Sequence, residues 1–317
     1  MNYIKTAVIA VLLLVLFLIP QIATTYTTSV ALNILMWIGM ATSWLILAGF
    51  TGYISLGHGA FLGIGAYFVA SYWQILPLPI LILLSGIVCV FVAAIVGYPV
   101  LRVKGPYFVI LTLGLSEFVK YSLIYYEVNI RGTVGRILLK TPSIEDLYYW
   151  ILVICLLSIA TAYLIKRSRF GLALMSVKDD EEVAEALGVN AALVKWKAFA
   201  ISAFFPGMIG AVMAMRWTYI DPYTVFNPMM SFQVTIMAFL GGIAYLHGPI
   251  IGATMLTLLS QYLWARYPNF YMFALGVILI FVVMFLPQGL AGLISNMKLP
   301  VLLNKYKVEN KSLTKEK

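Results

Sequence analysis

Charge is what this sequence has least of. Only 10% of its 317 residues are charged, and twelve are acidic. A water-soluble domain carries roughly 25% charged residues, so that class is excluded. Cysteine occurs twice and histidine twice, which leaves no disulfide framework and no zinc-ligand spacing. Cys89 and Cys155 stand alone in apolar stretches and read as small core residues. No G-x-x-x-x-G-K-[ST] segment occurs, so the chain does not hydrolyse nucleotide by that route. No cluster of His, Asp or Ser groups suggests catalysis, and the chain is not read as an enzyme. The net charge of +9 is not a nucleic-acid patch, because the basic residues sit scattered at the ends of apolar runs.

What is present in quantity is apolar: 62% hydrophobic residues, 14% aromatic and a mean hydropathy of +0.97. About 20 apolar residues cross a bilayer as one helix. Apolar windows predict ten spans, at 5–24, 29–50, 57–75, 78–101, 107–127, 147–165, 196–217, 230–246, 249–265 and 269–287. The expected fold is therefore an all-α polytopic membrane protein of about ten transmembrane helices. Residues 1–293 read as the transmembrane domain and 294–317 as a basic cytoplasmic tail. Lys5 and the run that follows it resemble a signal peptide, but no clean small-x-small cleavage site follows, so a retained first helix is expected.

Basic residues orient the spans. With the N-terminus inside, only Arg131, Arg136, Lys140, Arg216 and Arg266 of the 21 basic residues fall outside, and Lys120 lies within a span. Both termini are expected in the cytoplasm. Spans 2–5 and 7–10 form two blocks of four offset by five helices, an odd number that would make them inverted repeats. GAFLGIGAYF (59–68) has a faint echo in AFLGGIAYLHG (238–248).

Four motifs stand out. The first runs from Gly49 to Tyr67, with glycine at 49, 52, 57, 59, 63 and 65. Such density permits close helix packing, and Gly59 and Gly63 form a GxxxG pair. It also permits unwound backbone beside protein or a watery cavity. Ser55 and His58 are its polar members, open to a solute-contact or a packing role. The second motif, Arg102 to Glu117, turns at Gly105-Pro106. Glu117 lies mid-span one turn from Lys120, as a self-compensated pair or as a group lining an aqueous path. Thr112 precedes it in the same span. Ser55, His58, Gly59, Gly63, Thr112 and Glu117 are the candidate path residues.

The third motif is a charged island at 166–195, which holds Asp179, Asp180, Glu181, Glu182 and Glu185. Asp179 is placed to N-cap a helix with Glu182 at N3, a capping box. Carboxylates in the first turn suit the helix dipole. Val183, Ala184 and Leu187 make an apolar stripe, Gly188 suits a left-handed stop, and Asn190 can cap the next span. A helix of about two turns is unstable alone in water, so either the rest of the protein or a partner is expected to hold it. The fourth motif, Phe239 to Ala253, turns at Gly241-Gly242 and Gly248-Pro249, with His247 inside the turn.

GYISLGHGAFLGIGAY, KGPYFVILTLGLSE, SRFGLALMSVKDDEEVAEALGVN with KWKAFAISAFFPGMIGA, and FLGGIAYLHGPIIGA resemble, in this order, the permeases of branched-chain amino acid ABC importers, the LivM-like type above all. The resemblance spans residues 30–293. It implies a second, homologous permease, two cytosolic ATPase subunits that bind the ATP, and an extracytoplasmic solute-binding protein, with no cofactor in this chain. It also implies that the polar segment before a late helix is the coupling element on the ATPase. That segment maps here to Arg169–Asn190, centred on Glu181, Glu182, Ala184, Ala186, Leu187 and Gly188. One departure is Ile130–Arg136, a partial match to the family's TGGxxG-like outer run. Similar permeases handle urea and short amides. An ion-driven secondary transporter is the competing class, and it would need a mid-membrane ion site.

Overall fold

A computed structural model describes residues 2–139 and 141–267, with 273, 276–278, 280–281 and 289–293 beyond them. The chain divides into two compact units, Met1–Val234 and Thr235–Lys317. The first nine expected spans each meet a helix. These are α1 (Asn2–Ile22), α2 (Thr25–Thr51), α3 (His58–Tyr72), α4 (Leu78–Val100), α5 (Pro106–Tyr126), α6 (Ile144–Arg167), α9 (Ala191–Trp217), α11 (Pro228–Gly241) and α12 (Gly248–Arg266). Between α6 and α9 stand α7 (Arg169–Asp179) and α8 (Glu181–Ala186), and between α9 and α11 the single turn α10 (Pro222–Val225). The tenth expected span and the tail lie almost wholly outside the described residues, and the inverted pairing includes that span. Among the described residues, five helices (α2, α4, α5 with its continuation to Arg131, α6 and α9) are long and apolar enough to cross a membrane. The chain is an all-α polytopic membrane protein.

α9 is the axis of the first unit, and α2, α3 and α4 pack along it. Glycine makes the tightest of these approaches possible. A Cβ on Gly65 would stand 2.0 Å from the Gly207 carbonyl oxygen, and one on Gly210 2.0 Å from that of Leu62. The GxxxG pair serves different neighbours: a Cβ on Gly59 would meet Ser231 Oγ at 2.7 Å, and one on Gly63 the Phe226 ring at 2.5 Å. Small residues thus set the α3–α9 spacing, because lipid offers no hydrophobic push between helices. Cys89 and Cys155 are free and buried, as expected.

Polar ties mark the two ends of this unit. Arg216, at the end of α9, donates to Asn33 and to Ser29 Oγ (2.7 Å) near the start of α2. Lys178 Nζ, in α7, donates to the Gly49 carbonyl near the end of α2 (2.9 Å). Along α2, at 1.5 Å per residue, Gly49 lies about 24 Å from Asn33 and about 30 Å from Ser29, close to the hydrocarbon thickness of a bilayer. Lys178 of the charged island and Arg216 therefore hold opposite ends of α2. In the second unit, the fourth motif forms the expected tight turn. Gly242 adopts φ +103°, and a Cβ on Gly252 would meet the Met237 carbonyl oxygen at 1.9 Å. His247 is exposed there.

Candidate functional site

The charged island folds as two short helices rather than one. Ser168 breaks α6 with an extended backbone, and its side chain accepts from the Gly171 amide to start α7. α7 buries Leu174 and Val177 and keeps Asp179 as its last residue. The helix cap is consequently Asp180, whose carboxylate accepts from the amides of Glu182 (2.9 Å) and Val183 (3.1 Å). This corrects the expected cap at Asp179: Glu182 falls one position short of N3, and no capping box closes. The exit is as expected. Gly188 adopts φ +89°, and the Val189 amide reaches back to the Ala184 carbonyl (3.0 Å). Asn190 Oδ1 then accepts from the Leu193 amide to start α9 (3.0 Å).

The expected apolar stripe divides. Ala184 is buried against Val177, Ala191 and Val189. Val183 is 55% exposed and Leu187 79% exposed, flanked by exposed Asp179, Asp180, Glu182, Glu185, Ala186 and Gly188. Arg169, at the start of α7, is exposed as well. α8 thus turns Val183, and Leu187 at its C-cap, outward among carboxylates.

Glu181 points the other way. Its Oε1 accepts from Lys195 Nζ at 2.8 Å, and its Oε2 from the Tyr53 hydroxyl at 2.8 Å. Lys195 also donates to the Tyr53 oxygen (2.9 Å) and lies 4.5 Å from the centre of its ring. Lys104 Nζ stands 3.6 Å from the same carboxylate. One side chain of α8 therefore joins α9, the α4–α5 turn and the segment after α2. Burial pushes the Glu181 carboxyl up, but the hydrogen bonds from Lys195 and Tyr53 and the Lys104 charge outweigh it and hold it below the ordinary range. Burial, then Glu181, hold the Tyr53 phenol above its ordinary range, so it stays a neutral donor.

A pH dependence follows from that sign. A carboxyl with a depressed folded pKa stabilises its contacts fully above its unfolded value, about 4.3, and ceases to as pH falls through the folded value. Protection of the α8 amides, taken as the intrinsic exchange rate at each pH divided by the observed rate, is expected to be flat from about pH 8 to 5 and to fall only below the ordinary carboxylate range. Glu181→Gln removes this acid transition.

Tyr53 opens the unwound stretch of the Gly-rich motif. α2 ends at Thr51 with Gly52 at φ +78°, and helix resumes only at His58. Ser55, Leu56, Gly57 and His58 are buried, so their backbone needs partners inside the protein. Trp44 Nε1 donates to the Ser55 carbonyl (2.8 Å), Thr112 Oγ1 accepts from the Leu56 amide (3.0 Å), and Ser55 Oγ from the Gly57 amide (3.1 Å). Ser231 Oγ accepts from the Gly59 amide (2.9 Å). Ser55, His58, Gly59, Gly63 and Thr112 thus gather around one broken helix. Both ring nitrogens of His58 are buried without a hydrogen bond among the described residues. Glu117 pairs with Lys120 along α5.

One ionic centre escaped the sequence reading. After α5 a π-turn (Glu127–Arg131) carries Glu127 inward to full burial. Its Oε1 accepts from Arg136 Nε at 3.0 Å and its Oε2 from the Gly135 amide at 2.9 Å. Arg136 also donates to Ser71 and lies 5.3 Å from the Tyr67 ring centre. Arg136–Ile137 pairs antiparallel with Tyr219–Ile220. The Ile130–Arg136 run, where the family motif is only partly matched, is built around this pair.

A family of known proteins carries the same sequence pattern. Residues 26–284 match the family described as the permease component of the branched-chain amino acid transport system. The chain belongs to that family. It is 26% identical to the high-affinity branched-chain amino acid permease protein LivM of Salmonella typhimurium, over 77% of this chain and 65% of that protein. Identity with LivM of Escherichia coli is 25%, over 86% and 71% of the two chains. Escherichia coli LivH is 28% identical, over 80% of this chain and 90% of its own. The chain thus spans about two thirds of the LivM proteins' length. No solved structure matches it. Among the described residues no cluster of His, Cys, Asp and Glu could hold a metal ion.

Proposed function

We propose that this permease is the transmembrane subunit of an ATP-driven importer for branched-chain amino acids. It works with a second permease, two cytosolic ATPase subunits that bind the ATP, and an extracytoplasmic solute-binding protein. It lies in the cell's inner membrane with the charged island in the cytoplasm. The outward face of α8 supports this reading: Val183 and Leu187 are exposed between carboxylates, while Glu181 and Ala184 tie the same turn to the permease. ATP-driven closure of the ATPase pair moves α7 and α8. Glu181 passes that movement to Tyr53, Lys104 and Lys195, and Tyr53 leads directly into the unwound segment before α3. The permease pair then exposes its path to the other side by rigid-body rocking. Ser55, His58, Gly59, Gly63 and Thr112 border that path, where the unpaired His58 nitrogens suit a polar solute or water.

The test is uptake by membrane vesicles with and without internal ATP. Branched-chain amino acid uptake is expected to require ATP, and the permease to co-purify with a soluble ATPase subunit. Leu187→Asp with Glu182→Lys should abolish both, while the protein remains folded because both side chains face solvent. Uptake by the chain alone under an ion gradient would refute the proposal.

A further inference from the structure

A second polar feature lies beside α8 and shares Glu181, Lys104 and Lys195 with the contacts described above. A cavity of about 470 Å³ opens between the end of α4, the α4–α5 turn and the start of α9. Its wall includes Tyr98, Arg102, Lys104, Lys195, Trp196 and Glu181. Three cations and one carboxylate thus line the same cavity. Glu181 takes its closest contact from Lys195 at 2.8 Å and leaves Lys104 at 3.6 Å. Arg102 pairs with no carboxylate among the described residues. Its guanidinium instead lies 4.6 Å from the Tyr98 ring centre and donates to the Tyr98 hydroxyl, which fixes its direction. Trp196 is held by its indole N–H on the Ala94 carbonyl (2.8 Å).

We infer that this cavity binds the phosphate of an anionic phospholipid headgroup, with Arg102 and Lys104 as its ligands. The ligand chemistry is a phosphate anion, and three observations favour a lipid as its source. The cavity sits at the membrane end of two spanning helices, among tyrosine and tryptophan of the kind that line the headgroup level. Basic pockets between spanning helices recognise acidic headgroups. And α4 continues from the cavity with a track for an acyl chain: Tyr98, Ile95 and Phe91, at helical spacing, are 64%, 59% and 66% exposed. Because Glu181 forms part of the same wall, a bound lipid stands next to the coupling contact. The inference does not depend on which solute is carried or on the ATPase reading.

Native mass spectrometry of the full chain released from detergent separates the possibilities. Phosphatidylglycerol is titrated against phosphatidylcholine with the same acyl chains and against inorganic phosphate. Phosphatidylglycerol is expected to remain bound in preference to phosphatidylcholine, and Arg102→Gln with Lys104→Gln to weaken it about tenfold or more. Inorganic phosphate is expected neither to bind alone nor to displace the lipid. Equal retention of the two lipids, or unchanged binding by the variant, overturns the inference. Displacement by inorganic phosphate identifies a free-anion site and overturns the lipid assignment. If the double variant does not purify, Lys104→Gln alone decides, since that side chain is 61% exposed: unchanged phosphatidylglycerol binding contradicts the inference.

Discussion

Glu181→Ala is expected to abolish ATP-driven uptake while the ATPase subunit still co-purifies. The proposed docking face consists of Val183, Leu187 and the carboxylates around them, and Glu181 points away from it, so binding should survive. What is lost is the link from α8 to α9 and to the unwound segment. The substitution also leaves the Lys195 ammonium unpaired, with only 3% of that side chain exposed. Removing one partner of a buried pair costs about 3–5 kcal/mol, so a lower unfolding temperature is expected as well. Lys195→Met in the same chain should recover much of that stability, since neither charge is then stranded, but not the uptake. Tyr53→Phe tests the mechanical arm separately. It keeps the Glu181–Lys195 pair, removes the hydroxyl that joins α8 to the segment before α3, and is expected to reduce uptake with little effect on stability.

The second large effect is expected at the opposite end of the first unit. Arg136→Ala strands the Glu127 carboxylate at zero exposure, with only the Gly135 amide (2.9 Å) and a long contact from the Tyr67 hydroxyl (3.5 Å) in place of its ion pair. The loss should again be about 3–5 kcal/mol, seen as a fall in the midpoint of detergent-solubilised unfolding and in membrane yield. Glu127→Gln added to Arg136→Ala removes the stranded charge and should restore most of the stability. A merely superficial Arg136 would give two small, additive changes instead.

Much of the fold was legible in the sequence because lipid imposes a simple rule: a span is an apolar run of fixed length. That rule places α2, α4, α5, α6 and α9 within a few residues. Local chemistry carried further detail. Gly188 and Asn190 each do what their residue types favour at a helix boundary. Asp179 does not, because two adjacent aspartates can each serve as a cap, and only the extent of α7 decides between them. The long-range polar pairs were not legible at all. Glu181 meets Tyr53 across 128 positions of sequence, and no periodicity links them. Glu127 meets Arg136 because a π-turn rotates it inward, and the sequence carries no signal for that turn. The reading that grouped Glu181 with Glu182 as partner-facing charges therefore divides in the structure: Glu182 faces out, while Glu181 faces the permease.

The proposed contact between α8 and a soluble ATPase is open to direct measurement. Cys89 and Cys155 are 0% and 2% exposed, so Leu187→Cys introduces one accessible thiol among the described residues. A bifunctional thiol-reactive cross-linker applied to membranes from the native host should join that thiol to an ATPase subunit, identified from its peptides, and the yield should change when ATP is added. Labelling of the introduced thiol only by reagents confined to the extracytoplasmic side, with no ATPase adduct under either condition, would contradict the account.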